Sequence, residues 1–169
     1  MARSKLVGLV FEGWNDLDRV LEGVSTEEAI SQLDGGSSFA WTLAHVMGMV
    51  DRWVNVRFQK LSPHPVLSEE RFRAGGSGSA SEWRDVQEAA REVRETARAF
   101  LETLDDADLD VMVPYDGSVA MLRETGLSLK YALCRIAAHQ YFHLGEMAAK
   151  RSSRGAQVGD YPGRMAECI

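Results

Sequence analysis

The chain has 169 residues, of which 45% are hydrophobic and 26% are charged. These values are typical of a soluble globular protein, and the length suits one domain spanning residues 1–169. The net charge of -6 argues against a broad nucleic-acid-binding face, because phosphate binding needs a basic surface. Two cysteines, Cys134 and Cys168, are too few for a disulfide framework. We therefore expect reduced thiols and a cytoplasmic location.

Neither the N-terminus nor the most apolar stretch of the chain indicates a membrane protein. The N-terminus is basic over Met1–Lys5, but acidic residues soon interrupt the apolar run, so a signal peptide is not expected. The most apolar stretch, Leu127–Ala149, contains Lys130, Arg135, His139, Gln140, His143 and Glu146. A membrane span would not carry so many polar side chains, so this stretch is interpreted as a core helix.

The first predicted helix is long and amphipathic, and the second is short and begins with a cap. Apolar residues recur at three- and four-residue steps from Val7 to Val24, which predicts an amphipathic helix of about five turns. The segment Ser25–Glu28 has the form of a capping box and predicts a short helix that ends at Gly35-Gly36.

A second long helix is predicted to begin at Ser37 or Ser38 and to run to about Lys60. Two prolines, Pro63 and Pro65, enforce its end. Residues 61–80 form a long break, which in a helix bundle suits a crossover between two parallel helices.

The third long helix is predicted from a second capping box, Ser79-x-x-Glu82. Charges of alternating sign fill its outer face. Its apolar stripe consists of Val86, Ala90, Val93, Ala97, Phe100 and Leu104.

A small hairpin is predicted before the last helix, with strands at Val111–Tyr115 and Ser118–Leu122 joined by an Asp116-Gly117 turn. The last helix is predicted from about Leu127 to Arg151 and, being apolar nearly all round, should be the most buried. Together these elements predict an all-α four-helix bundle with a long crossover between its second and third helices.

Two histidines on the last helix are spaced for metal binding. His139 and His143 are four residues apart, so both rings lie on one face, one turn apart. Zinc, nickel and similar divalent ions favour imidazole nitrogens. Two ligands leave the coordination shell short, so a third must come from elsewhere in the chain.

His45 is the best candidate for that third ligand, because its neighbours one turn away are mostly apolar and indicate an inward side chain. Three histidines on two core helices would form an open site with room for water or substrate. The fourth histidine, His64, lies between two prolines and is expected to be exposed. The competing interpretation is that all three are hydrogen-bonded core histidines.

Two charged residues lie on the same stripes as the histidines. Glu146 could ligate the metal, orient a ligand or act as a catalytic base, or it could simply pair with Lys150. Arg52 could bind an anionic group of a substrate, or it could form a structural salt bridge or extend to solvent.

Three segments resemble one known family. The segment SFAWTLAH at residues 38–45, followed by Asp51-Arg52-Trp53, is similar to the second helix of DinB/YfiT-like proteins. The segment AAHQYFHLGE at residues 137–146 is similar to their last helix, and DYPG at residues 160–163 also occurs among them. The similarity extends over nearly the whole chain, although relatives often carry Gln at the position of Glu146.

The resemblance implies an up-down-down-up four-helix bundle that binds a divalent metal, often zinc or nickel, through His45, His139 and His143. Homodimers are common in that family, so the resemblance also leads us to expect a homodimer. Several relatives are S-transferases or isomerases that use a low-molecular-weight thiol such as bacillithiol, mycothiol or glutathione.

Three functions follow as hypotheses. The leading one is a metal-dependent thiol S-transferase or isomerase acting on a small molecule, in which the metal lowers the pKa of the thiol. The second is a metal-activated hydrolase with Glu146 as the base. The third is a non-catalytic protein that binds a metal or a small ligand, for example in a stress response.

Overall fold

The computed structural model describes residues 4–32 and 36–169, most of which are helical. The prediction of an all-α chain is confirmed at this level. The α-helices are α1 (Lys5–Leu21), α2 (Thr26–Ile30), α3 (Phe39–Val50), α4 (Trp83–Leu101), α5 (Ala120–Thr125) and α6 (Leu129–Ser153). Two short strands, β1 (Met112–Val113) and β2 (Leu127–Ser128), pair antiparallel with Val113 opposite Leu127. Short 3-10 helices cover Glu70–Phe72, Asp108–Asp110 and Ala166–Cys168.

The packing of the long helices places α1 against α6, and α3 against both α4 and α6. One continuous hydrophobic core joins them. Within the described residues, no helix combines the length and the apolar character that a bilayer crossing requires.

The predicted cap at Ser25 is present, because its hydroxyl accepts a hydrogen bond from the Glu28 N–H at 3.1 Å. The helix that follows, α2, ends at Ile30, before the predicted end at Gly35-Gly36. Gly35 itself, like residues 1–3 of the N-terminus, lies outside the described residues.

The helix predicted from Ser38 to about Lys60 is present, but its second half is not α-helical. Ser38 caps α3 by accepting a hydrogen bond from the Trp41 N–H at 3.1 Å. After Val50 the chain continues as a π-helix over Asp51–Phe58. A π-helix closes a wider turn than an α-helix and rotates the residues that follow it about the axis. Apolar periodicity over so short a segment did not predict this change.

The capping box predicted at Ser79-x-x-Glu82 is wrong, since α4 begins at Trp83 with Glu82 in the capping position and no side-chain cap. The carboxylate of Glu82 instead accepts hydrogen bonds from the Ser81 N–H at 3.1 Å and from Arg71 at 3.2 Å. These contacts hold the end of the crossover segment, and the carboxylate does not cap the helix.

The hairpin predicted around Asp116-Gly117 is also wrong. Strand β1 pairs with β2, and the predicted strand at Ser118–Leu122 is replaced from Ala120 onward by α5. Two observations explain the difference. The Asp116 carboxylate binds Arg57 at 2.6 Å and does not close a turn. Leu127 on β2 is fully buried, whereas the predicted strand at Ser118–Leu122 would be half exposed.

The most buried helix is α3 and not α6, contrary to the prediction. Every residue of α3 is buried, because α2, α4 and α6 all pack against it. In α6, by contrast, about a third of the residues are buried, and Phe142 is 65% exposed. A composition that is apolar nearly all round therefore did not identify the central helix here.

The C-terminal segment packs along α1. The buried carboxylate of Asp16 accepts hydrogen bonds from the Gly163 N–H at 3.1 Å and from the Tyr141 hydroxyl at 3.3 Å. Glu12, also buried, accepts from the Glu167 N–H at 2.6 Å. Two acidic residues of α1 thus fasten the end of the chain to the helical core.

Candidate metal centre

The three histidines singled out from the sequence converge at the contact between α3 and α6. His45 lies in the middle of the fully buried α3, and His139 and His143 lie one turn apart on α6. A candidate ligand atom from each ring lies within 4.8 Å of those of the other two. The Nε2 of His139 lies 3.0 Å from the Nε2 of His45 and 3.2 Å from the Nε2 of His143.

The outer nitrogen of two of these rings is bound to an acceptor. The Nδ1 of His45 lies 2.7 Å from the Phe72 carbonyl oxygen, and the Nδ1 of His143 lies 2.6 Å from the Glu146 carboxylate. Each acceptor requires a proton on that Nδ1. In the neutral rings of His45 and His143, the Nε2 atom therefore carries a free lone pair, and both lone pairs point toward His139.

His139 does not resolve this convergence by hydrogen bonding. Its Nδ1 is buried and has no partner among the described residues. If its Nε2 carries a proton, that proton can be directed at only one of the two facing lone pairs; otherwise three lone pairs meet. A cation at the centre satisfies all three nitrogens. Nitrogens bound tetrahedrally to zinc at ~2.0–2.1 Å lie about 3.3 Å apart, close to the two separations measured from His139.

The electrostatics of the centre also match neutral imidazole ligands. Burial lowers the pKa of His139 to about 3, and the nearby guanidinium groups of Arg135 and Arg52 act in the same direction. Burial likewise lowers the pKa of His45. Metal binding requires the neutral ring, and the lowered pKa values keep His45 and His139 neutral at physiological pH without a metal.

Aromatic packing fixes the orientation of His45. The Trp41 ring stacks on the imidazole with centroids 4.7 Å apart and planes 10° from parallel. The Trp41 Nε1–H donates to the Arg71 carbonyl at 2.7 Å, which anchors the segment that supplies the Phe72 carbonyl. The crossover thus contributes to the site through its backbone. Sequence reasoning missed Phe72, because a backbone carbonyl that accepts from a ligand histidine can belong to any residue type.

Glu146 is placed behind the centre and not inside it. Its carboxylate binds the outer nitrogen of His143, which is the arrangement of a residue that orients a metal ligand. The alternative partner, Lys150, donates instead to the Ser37 carbonyl at 2.6 Å.

Arg52 lies in the π-helix and lines a cleft of about 560 Å³ that His45 and His139 also line. Its Nη1 is buried and has no hydrogen-bond partner among the described residues. Burial lowers the pKa of Arg52, and the charge of Arg73 adds to the effect. The structural salt bridge considered as its alternative role is not formed with any described carboxylate.

Sequence reasoning did not identify the other charged residues of this cleft, Arg57, Arg73 and Arg135. They come from the π-helix, the crossover and α6, so no local spacing connects them. Trp53 and Tyr115 provide the aromatic part of the lining, and the cleft is lined by no carboxylate among the described residues.

The remaining histidine, His64, lies apart from this centre. Expected to be exposed, it is in fact half-buried, with 15% of its side chain accessible. Its N–H donates to Asp51 at 2.8 Å, and its Nε2 lies 3.2 Å from Glu92.

Comparison with known families gives one match. A profile described as the DinB superfamily matches residues 12–147, a range that includes all three histidines, Arg52 and Glu146. A comparison with curated proteins finds no match.

Proposed function

Since the chain belongs to the DinB superfamily, we propose that His45, His139 and His143 bind a divalent metal ion and that the protein is a thiol-dependent S-transferase or isomerase. The observation that carries the proposal is the convergence of three Nε2 atoms beside a cleft large enough for a small molecule. Zinc or nickel is the expected ion, because both accept imidazole nitrogens. A bound ion would lower the pKa of a coordinating thiol, so that the thiolate is available near neutral pH.

The residues around the centre have separate roles in this proposal. The Phe72 carbonyl and the Glu146 carboxylate hold the Nδ1 protons of His45 and His143, which keeps both Nε2 atoms directed inward. Trp41 prevents rotation of the His45 ring. Arg52 lies where it can bind an anionic group of the thiol or of its co-substrate.

A metal-activated hydrolase with Glu146 as the base receives less support. A base must reach the water or substrate that it deprotonates. The Glu146 carboxylate is instead hydrogen-bonded at 2.6 Å to the outer nitrogen of His143, and it does not line the cleft.

Two finer structural expectations belong to the same proposal. We expect α1, α3, α4 and α6 to form an up-down-down-up bundle, which is consistent with the long crossover between α3 and α4. We also expect a homodimer, for which the exposed ring of Phe142 offers apolar surface. Light scattering of the purified protein would measure its mass directly.

Metal binding is tested by elemental analysis of protein purified without a histidine tag. We expect about one equivalent of zinc or nickel per chain in the wild type and little in the His139→Ala variant. His64→Ala is the matched control, because it removes a histidine outside the centre. Equal metal content in His139→Ala and the wild type would refute the metal site.

The reaction is tested separately with fully metallated protein. The assay follows consumption of an electrophile such as monochlorobimane in the presence of glutathione, mycothiol or bacillithiol. We expect thiol-dependent turnover that His45→Ala abolishes and His64→Ala leaves unchanged. If none of these thiols supports turnover, the transferase proposal fails even if metal binding holds.

A further inference from the structure

We propose that the arginine cleft, defined by Arg52, Arg57, Arg73 and Arg135, is a binding site for a small dianion such as a dicarboxylate or a phosphate ester. The inference deepens the proposed function, on which it rests for the ligand's role as thiol or co-substrate. Binding of the dianion itself does not require the metal.

The charge of the cleft is opposite to that of the whole chain. Four guanidinium groups line it, together with two histidines of the metal centre. No Asp or Glu among the described residues lines it, although the chain has 25 acidic against 19 basic residues. Positive charges concentrated in a concave surface attract anions and repel one another, so they need a counter-charge.

Among the described residues, a carboxylate supplies that counter-charge to only one of the four. Arg57 binds Asp116 at 2.6 Å, and the Asp116 side chain is 90% exposed. Arg52, Arg73 and Arg135 form no ion pair with a carboxylate in the described ranges. The Nη1 of Arg52 is buried without a partner. A partly buried guanidinium that lacks an acceptor is costly, and a ligand carboxylate or phosphate can supply one.

The surrounding structure holds these side chains in place. Gly48 lies directly beneath Arg52, where an added Cβ would come within 3.0 Å of Nη1. Arg135 lies over the Trp53 ring at 5.8 Å from its centroid, and Arg57 lies over Tyr115 at 4.6 Å. Guanidinium groups stacked on aromatic rings lose less conformational entropy when they bind an anion.

The size and composition of the cleft favour a small molecule over a nucleic acid. A volume of about 560 Å³ lies within the range of small-ligand sites. A nucleic acid would need a basic surface that continues beyond the cleft, and the chain's net charge is -6. Three guanidinium groups that pair with no described carboxylate can together bind two anionic groups on one ligand.

Calorimetric titration of metal-free protein tests the proposal at constant ionic strength. The two probes are inorganic phosphate and succinate, which represent the phosphate and the dicarboxylate sources. We expect the wild type to bind at least one of them with a millimolar or lower Kd, and the tighter probe identifies the source. Loss of one charge-assisted contact in Arg52→Gln should raise that Kd about tenfold to a hundredfold.

Two further variants keep the result independent of folding defects. Arg73 is exposed, so Arg73→Gln should fold normally and still raise the Kd several-fold. The charge-matched control is Arg84→Gln, on the exposed face of α4, which should leave the Kd unchanged. Failure of the wild type to bind either probe would overturn the proposal, as would equal effects of Arg73→Gln and Arg84→Gln.

The His143→Ala variant separates this proposal from the metal site. It should lose the metal and keep the anion affinity within about threefold, because His143 does not line the cleft and all four arginines remain. Anion binding in a wild type that takes up no metal would support the cleft and refute the proposed metal centre. Normal metal content without anion binding would do the reverse.

Discussion

The Glu146 carboxylate lies 2.6 Å from the Nδ1 of His143, on the side of the imidazole that faces away from the other two histidines. The two residues are three positions apart on α6, so the helix itself keeps them together. This contact fixes which nitrogen of His143 is available at the centre. The Glu146 carboxylate, which the sequence allowed as a ligand or a base, therefore has the position of a residue that orients a ligand.

Glu146→Ala should therefore weaken metal affinity without removing the site. Loss of a hydrogen-bonded carboxylate behind a histidine ligand typically costs about 10–100-fold in affinity. Glu146→Gln should have a smaller effect, because its amide oxygen still accepts the Nδ1 proton. Competition with a chromogenic chelator measures both. Glu124→Ala, at an exposed position on α5, is the control, and unchanged affinity in Glu146→Ala would contradict the role assigned here.

Trp41→Phe should weaken metal binding through the crossover. The substitution removes the Nε1 donor to the Arg71 carbonyl and reduces the stack on His45, so the Phe72 carbonyl is held less firmly. Loss of this partly buried hydrogen bond should also lower the free energy of unfolding by about 1–3 kcal/mol. Urea denaturation and chelator competition measure the two effects.

Trp83→Phe is the matched control for that experiment. Trp83 is 5% exposed and lies outside the metal centre, so the same change in volume should affect stability but not metal affinity. An equal loss of metal affinity in both variants would mean that Trp41 has no specific role.

Substitution of two helical glycines should have opposite effects. In Gly48→Ala the new methyl group would lie 3.0 Å from both the Arg52 Nη1 and the Leu67 carbonyl, so stability should fall by about 1–3 kcal/mol. In Gly145→Ala nothing lies within 4 Å of the new methyl, and the gain in helix propensity should raise stability by about 0.5–1 kcal/mol. Chemical denaturation compares them; a stabilised Gly48→Ala variant would show that the crossover tolerates displacement there.

Asp16→Ala should release the C-terminal segment from α1. The carboxylate is 1% exposed and accepts from Arg19, Tyr141 and the Gly163 N–H. Its loss removes a buried acceptor from all three donors and should cost about 2–4 kcal/mol of stability. Limited proteolysis should then cleave the released segment faster.

The neighbouring Asp18→Ala is the control, because Asp18 is 67% exposed and pairs with Arg94 at the surface. A surface ion pair contributes at most about 1 kcal/mol. Comparable losses in the two variants would argue against a specific fastening role for Asp16.

Prediction from the sequence succeeded where the governing interactions are local. The caps at Ser25 and Ser38 depend on residues three positions away, and both are present. It failed at Ser79-x-x-Glu82 and at the Asp116-Gly117 turn, because Arg71 and Arg57 bind the acidic side chains instead. Those partners come from segments distant in the sequence, and local pattern does not report them.

The same distinction divides the candidate site. The four-residue spacing of His139 and His143 determined by itself that two imidazoles share one face of α6, because helix geometry alone sets that relation. Only the packing of α3 against α6 decided that His45, 94 positions earlier, reaches them. The Phe72 carbonyl and the arginine cleft also depend on long-range packing. A backbone acceptor and side chains from separate segments share no local spacing from which the sequence could predict them.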